Sequence, residues 1–231
     1  LIQLFLEKEE PMRRRTSIFI NILTAVGVLA VWLSICFGMP EGEALSTRGL
    51  RSLKYFTVLS NLLFGISCVT YAVIEMKKET GDMPPWLRIL RLASVCAVSL
   101  TFLTVVLFLG RIYGYRSMFA GNNLYFHLVI PLAAVILFLF IDRKDALRPQ
   151  QCVLCLIPVL MYGAGYILNV VLNGRGEWPH ANDFYGFFNW GTAVGAGILV
   201  CMVAGTLLLG LLLEKIKMIL RKKENKDGEE I

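Results

Sequence analysis

Two side chains in this 231-residue chain have the types needed for joint chemistry: Thr57 in KYFTVLSNLL (54–63) and His127 in FHLVIP (126–131). A threonine hydroxyl is a poor nucleophile until a base takes its proton. An imidazole, with an ordinary pKa of about 6.5, does that near neutral pH. Both residues lie in long apolar runs, where a polar group costs free energy unless it finds a partner. The bland alternatives are a Thr57 hydroxyl bonded back to its own helix and a neutral His127 bonded to a neighbouring one.

The runs that must position this pair are membrane spans. The chain is 56% hydrophobic and 17% charged, with mean hydropathy +0.64, which is membrane composition. Six spans are expected at 17–37, 53–74, 89–110, 122–141, 152–172 and 187–213. The predicted fold is therefore all-α: a polytopic bundle of six transmembrane helices in one domain, residues 1–231, with a charged tail over 214–231. No 20- to 50-residue repeat is present. Met12-Arg-Arg-Arg reads as a natural start, with residues 1–11 as extra upstream sequence or a translated alternative start codon. The first span is long for a signal peptide and is expected to be retained.

The net charge of +6 resides in loops, and no basic, aromatic-interleaved nucleic-acid surface accompanies it. Only Arg48, Arg51, Lys54, Arg111, Arg116 and Arg175 belong to the first, third and fifth loops; all other lysines and arginines belong to the termini and the even loops. The positive-inside rule then predicts a cell-membrane protein with both termini cytoplasmic. The short loops and lysine-rich tail have a bacterial character.

In this topology Thr57 lies four residues, about 6 Å, into span two, and His127 lies five residues into span four, at nearly the same depth. Asn61 stands one turn beyond Thr57 on the same face. Tyr166 and Asn169 fall in the outer half of span five, and Asn189 and Thr192 open span six. The outer half is expected to be polar and the inner half apolar, with His127 the one ionisable group at depth. Ser60 or Asn61, with Asn122 or Asn123, are candidate donors to an oxyanion. Arg175 is a candidate for holding a carboxylate or phosphate headgroup. The outer loop GRGEWPHANDFYGFFNW carries Trp178, His180 and an aromatic belt suited to the headgroup layer.

Other chemistries lack their residues. There are no paired intramembrane carboxylates, and no Walker loop, GxGxxG, GxSxG or HExxH. Cys152-x-x-Cys155 is a lone CxxC without the second pair of a zinc site. A metal at His180, Glu177 and Asp183 lacks clustered ligand spacing. Cys68, as an acyl-transferring thiol, lies about three turns from Thr57.

KYFTVLSNLL, FHLVIP and GYILNVVLNGRGEWPH (165–180), in that order, resemble the androgen-induced and androgen-dependent TFPI-regulating membrane proteins. Those are six-pass threonine hydrolases of fatty acid esters of hydroxy fatty acids. The resemblance implies that Thr57 is the nucleophile, His127 its partner, and a lipid or fatty-acid ester in the membrane the substrate, with no cofactor. The alternative from the residues is a non-catalytic transporter, lipid-binding protein or sensor with a polar outer pocket. Oligomeric state is left open.

Overall fold

The computed structural model describes residues 2–38, 48–77, 83–142, 147–177 and 182–229, with side chains described from Met12 to Lys222. Among them there is no strand. Six helices organise the chain: α1 (Ile2–Phe37), α2 (Phe56–Lys77), α3 (Pro85–Tyr113), α4 (Asn122–Ile141), α5 (Pro149–Asn173) and α6 (Thr192–Glu229). Each contains a stretch long and apolar enough to cross a membrane, the pattern of a multi-pass membrane protein. Trp178 and His180 lie outside the described residues.

Helix starts follow local chemistry. Pro85 and Pro149 occupy first turns, where a missing N–H costs nothing. A 3-10 segment at Gly49–Lys54 precedes α2, so that helix begins at Phe56 rather than at Leu53. α6 begins at Thr192, because the Asp183 carboxylate accepts the N–H groups of Phe187 and Phe188 and holds 187–190 as a turn. Asn189 therefore sits in that turn and does not open the sixth span. At its other end α6 runs on past residue 213, with Glu214 and Lys217 buried.

α3 is the axis of the bundle. Every residue from Arg91 to Thr101 is buried, three turns enclosed on all sides. α2, α4, α5 and α6 all pack against it. α1 lies against α2, where Gly65 admits Val28; a Cβ at residue 65 would stand 3.1 Å from the valine Cγ1. Small residues at such contacts let helix backbones approach where lipid removes the hydrophobic drive between helices. Phe19, Leu23, Met161, Leu172 and Val200 are exposed on α1, α5 and α6, as lipid-facing positions require.

The expectation of an apolar half at the end bearing the termini is overturned. From the sequence Arg91 reads as a loop cation, yet it is wholly buried, and all five of its N–H groups are bonded. Nε and Nη2 grip Asp142 at 2.7 and 3.1 Å, and Nη2 also reaches Asn21 Oδ1 at 2.9 Å. Nη1 donates to Ser67 Oγ at 3.2 Å and Cys68 Sγ at 3.0 Å. The guanidinium also stacks over Phe64 and Tyr71. His127 is thus not the one buried ionisable group. The charges escaped notice because each falls at the edge of an apolar run, and only the packing of four acceptor residues from α1, α2 and the end of α4 encloses Arg91.

Candidate active site

Thr57 occupies the first turn of α2 and is buried. His127 lies in the first turns of α4, inside a π-helical segment at Tyr125–Val129. Thr57 Oγ1 and His127 Nε2 are 3.5 Å apart. That is longer than the roughly 2.6–3.2 Å of a productive base contact, as is common in ligand-free sites. His127 Nδ1 is 2.7 Å from the Met118 carbonyl oxygen. A carbonyl can only accept, so Nδ1 carries the proton and neutral Nε2 presents its lone pair to Thr57.

The π segment has a cause in FHLVIP. Ile130 N–H bonds to the Tyr125 carbonyl, five residues back. In that register the next carbonyl, Phe126, would need an N–H from Pro131, which has none. Asn61 Nδ2 supplies one across the helices at 3.2 Å, and also donates to the Thr57 carbonyl at 2.7 Å. One asparagine thereby ties the threonine turn to the histidine turn. Interhelical bonds of this kind contribute about 0.6 kcal/mol on average.

The Met118 carbonyl arrives on a hairpin. Gly114 turns the chain at φ 86°, and the short helix Tyr115–Met118 folds back on the end of α3. Gly110 permits it: a Cβ there would lie 2.3 Å from the Tyr115 ring. Met118 packs on Val105 and Leu109, and its carbonyl, an orphan at a helix C-terminus, is free for the imidazole.

Thr57 opens on an apolar cavity of about 540 Å³ between α3, α5 and α6, walled by Val105, Val159, Leu199 and Val203. His127 is not in the wall. It stands behind the threonine, so a molecule in the cavity meets Thr57 before the imidazole. Tyr185 also lines the cavity, and its hydroxyl accepts the Phe56 N–H at 2.8 Å. Burial pushes the Tyr185 phenol up to about 12, which keeps its proton in place. No protein-family model, curated protein or solved structure matches the chain. The site therefore has to be read from its own geometry.

The other sequence candidates divide. Ser60 donates to the Thr57 carbonyl at 3.1 Å and contacts Thr101 at 3.1 Å; Asn61 has both amide protons on carbonyls. Both brace the threonine turn. Asn123 reaches the Ser117 carbonyl at 3.4 Å, within the hairpin region. Asn122 is bonded to Ser34 of α1 at 3.1 Å, on an exposed edge. Tyr166 lines the cavity and donates to Asp183. Asn169 pairs with Asn173 on α5, Arg175 reaches Thr192 at 3.5 Å, and Asn189 is exposed in its turn. Sequence reasoning passed over Met118 and Tyr185. Met118 acts through its backbone, which no side-chain pattern signals, and Tyr185 was one of several belt aromatics. Cys68 belongs to the Arg91 cluster, away from Thr57.

Proposed function

We propose that this chain is an integral-membrane lipid-ester hydrolase with Thr57 as nucleophile and His127 as base. The observation that carries the reading is the relay from the Met118 carbonyl through His127 to the Thr57 hydroxyl, with Thr57 in the wall of an apolar cavity. Thr57 Oγ attacks the ester carbonyl carbon while its proton passes to His127 Nε2. The imidazolium returns the proton to the leaving alcohol, leaving an acyl-threonine. Water, deprotonated by the same nitrogen, then releases the acid and restores Thr57. The carbonyl oxygen becomes an oxyanion beside the start of α2, where the helix dipole favours negative charge. Tyr185 is the donor suited to it, since its side chain lines the same cavity as Thr57. No cofactor enters a step.

The apolar cavity suits an acyl chain, which supports a fatty-acid ester of the kind cleaved by the androgen-induced and androgen-dependent TFPI-regulating proteins. Kinship with that family, a cell-membrane site at the outer leaflet and cytoplasmic termini belong to the same proposal. The test is labelling by a fluorophosphonate probe in micelles, with the adduct mapped by mass spectrometry. The expected adduct is on Thr57, lost in Thr57→Ala and reduced at least about 10³-fold in His127→Ala. An adduct elsewhere, or none from folded wild type, overturns the mechanism and favours a non-catalytic lipid-binding protein.

A further inference from the structure

A second and larger cavity, about 1380 Å³, opens between the start of α2 and the face of α5. Its mouth carries Arg48, Arg51 and Lys54, and no carboxylate lines it among the described residues. Its floor is apolar, with Leu59, Leu63 and Met161 among the walls. Leu63 lies seven residues into α2, so the apolar part reaches about 10 Å below the helix start. A basic mouth over an apolar slot of that depth has the polarity of a phospholipid: anionic headgroup above, acyl chain below.

The cations are placed against the general charge trend of the chain. Half of the six basic residues in the first, third and fifth loops fall within seven positions of sequence and converge on this one mouth. Among the described residues Arg48 and Arg51 have no carboxylate partner. Lys54 is held at the rim by the faces of Tyr55 and Phe184, with Nζ 5.0 and 5.1 Å from the ring centroids. Cations that merely snorkel need neither a shared cavity nor a fixed rim.

We propose that this cavity binds one anionic phospholipid of the surrounding leaflet, its phosphate between Arg48, Arg51 and Lys54 and one acyl chain along Leu59, Leu63 and Met161. The proposal does not rest on the hydrolase reading, because Thr57 lines the other cavity. The test is native mass spectrometry of the full chain released from nanodiscs of equal phosphatidylglycerol and phosphatidylcholine. Wild type is expected to retain one phosphatidylglycerol with a preference of about 10-fold or more. Arg48→Gln/Arg51→Gln/Lys54→Gln is expected to lose most of that preference, and Arg48→Lys/Arg51→Lys to keep it. Arg111→Gln/Arg116→Gln, which removes exposed charge from the same end of the bundle, is expected to leave it unchanged. Equal retention of the two lipids by wild type overturns the proposal, as does a preference that the triple variant keeps. Retention abolished by millimolar inorganic phosphate marks an ion site and overturns it too.

Discussion

Arg91 has an acceptor for each of its five N–H groups, whereas the buried Oδ1 atoms of Asn61 and Asn123, around the Thr57–His127 pair, have no donor among the described residues. The bundle thus contains two polar layers of opposite design. The Arg91 layer is charged, closed and saturated: a bidentate ion pair sealed by Asn21, Ser67 and Cys68. The Thr57 layer is neutral and incompletely bonded, with one long contact at 3.5 Å and a cavity at its side. A saturated network resists change, because breaking any member strands a buried charge. A layer with spare acceptors and a loose hydroxyl can accept a substrate without first breaking its own bonds. Burial of polar groups therefore does not by itself single out the proposed site; incomplete satisfaction beside a cavity is what sets it apart from the Arg91 layer.

The contrast can be broken by substitution. Arg91→Met leaves Asp142 buried and unpaired and is expected to cost about 3–5 kcal/mol, read as a fall in detergent unfolding temperature. Arg91→Met/Asp142→Leu should recover most of the loss; equal damage from both variants would show that the pair does more than balance charge. Tyr185→Phe should slow fluorophosphonate labelling about 10²-fold while moving the unfolding temperature little. If labelling and unfolding fall together, Tyr185 is a packing residue. Gly110→Ala forces the Tyr115 ring away and disturbs the hairpin that brings the Met118 carbonyl to His127. A loss of about 10-fold in labelling is expected, since small misplacement at a reacting group is costly. Asn61→Ala sharpens the comparison at its gentlest point. It removes a bond between helices worth about 0.6–1.7 kcal/mol, and a stability loss as large as that of Arg91→Met would erase the distinction between the layers.

Much of the architecture was legible because it depends on composition along the chain. Six apolar runs must be helical in lipid, where every backbone N–H and C=O needs a partner within its own segment. Thr57 and His127 stood out because polar groups are rare in such runs, and equal depth follows from helical rise alone. Helix rotation and contact order do not follow from depth. Thr57 and His127 are 70 residues apart, and Asn61 and Phe126 are 65 apart. Only packing around α3 brings α2 and α4 together. Only the π turn, with Pro131 unable to close it and Asn61 filling in, aims the imidazole. The hairpin's carbonyl then decides which ring nitrogen is bare. Arg91 looked like a loop cation for the same reason: its acceptors are scattered over α1, α2 and the end of α4, and folding alone makes them a cage. The sequence by itself determined which residues are polar within lipid-length helices; the tertiary structure decided which of them are saturated and which remain available.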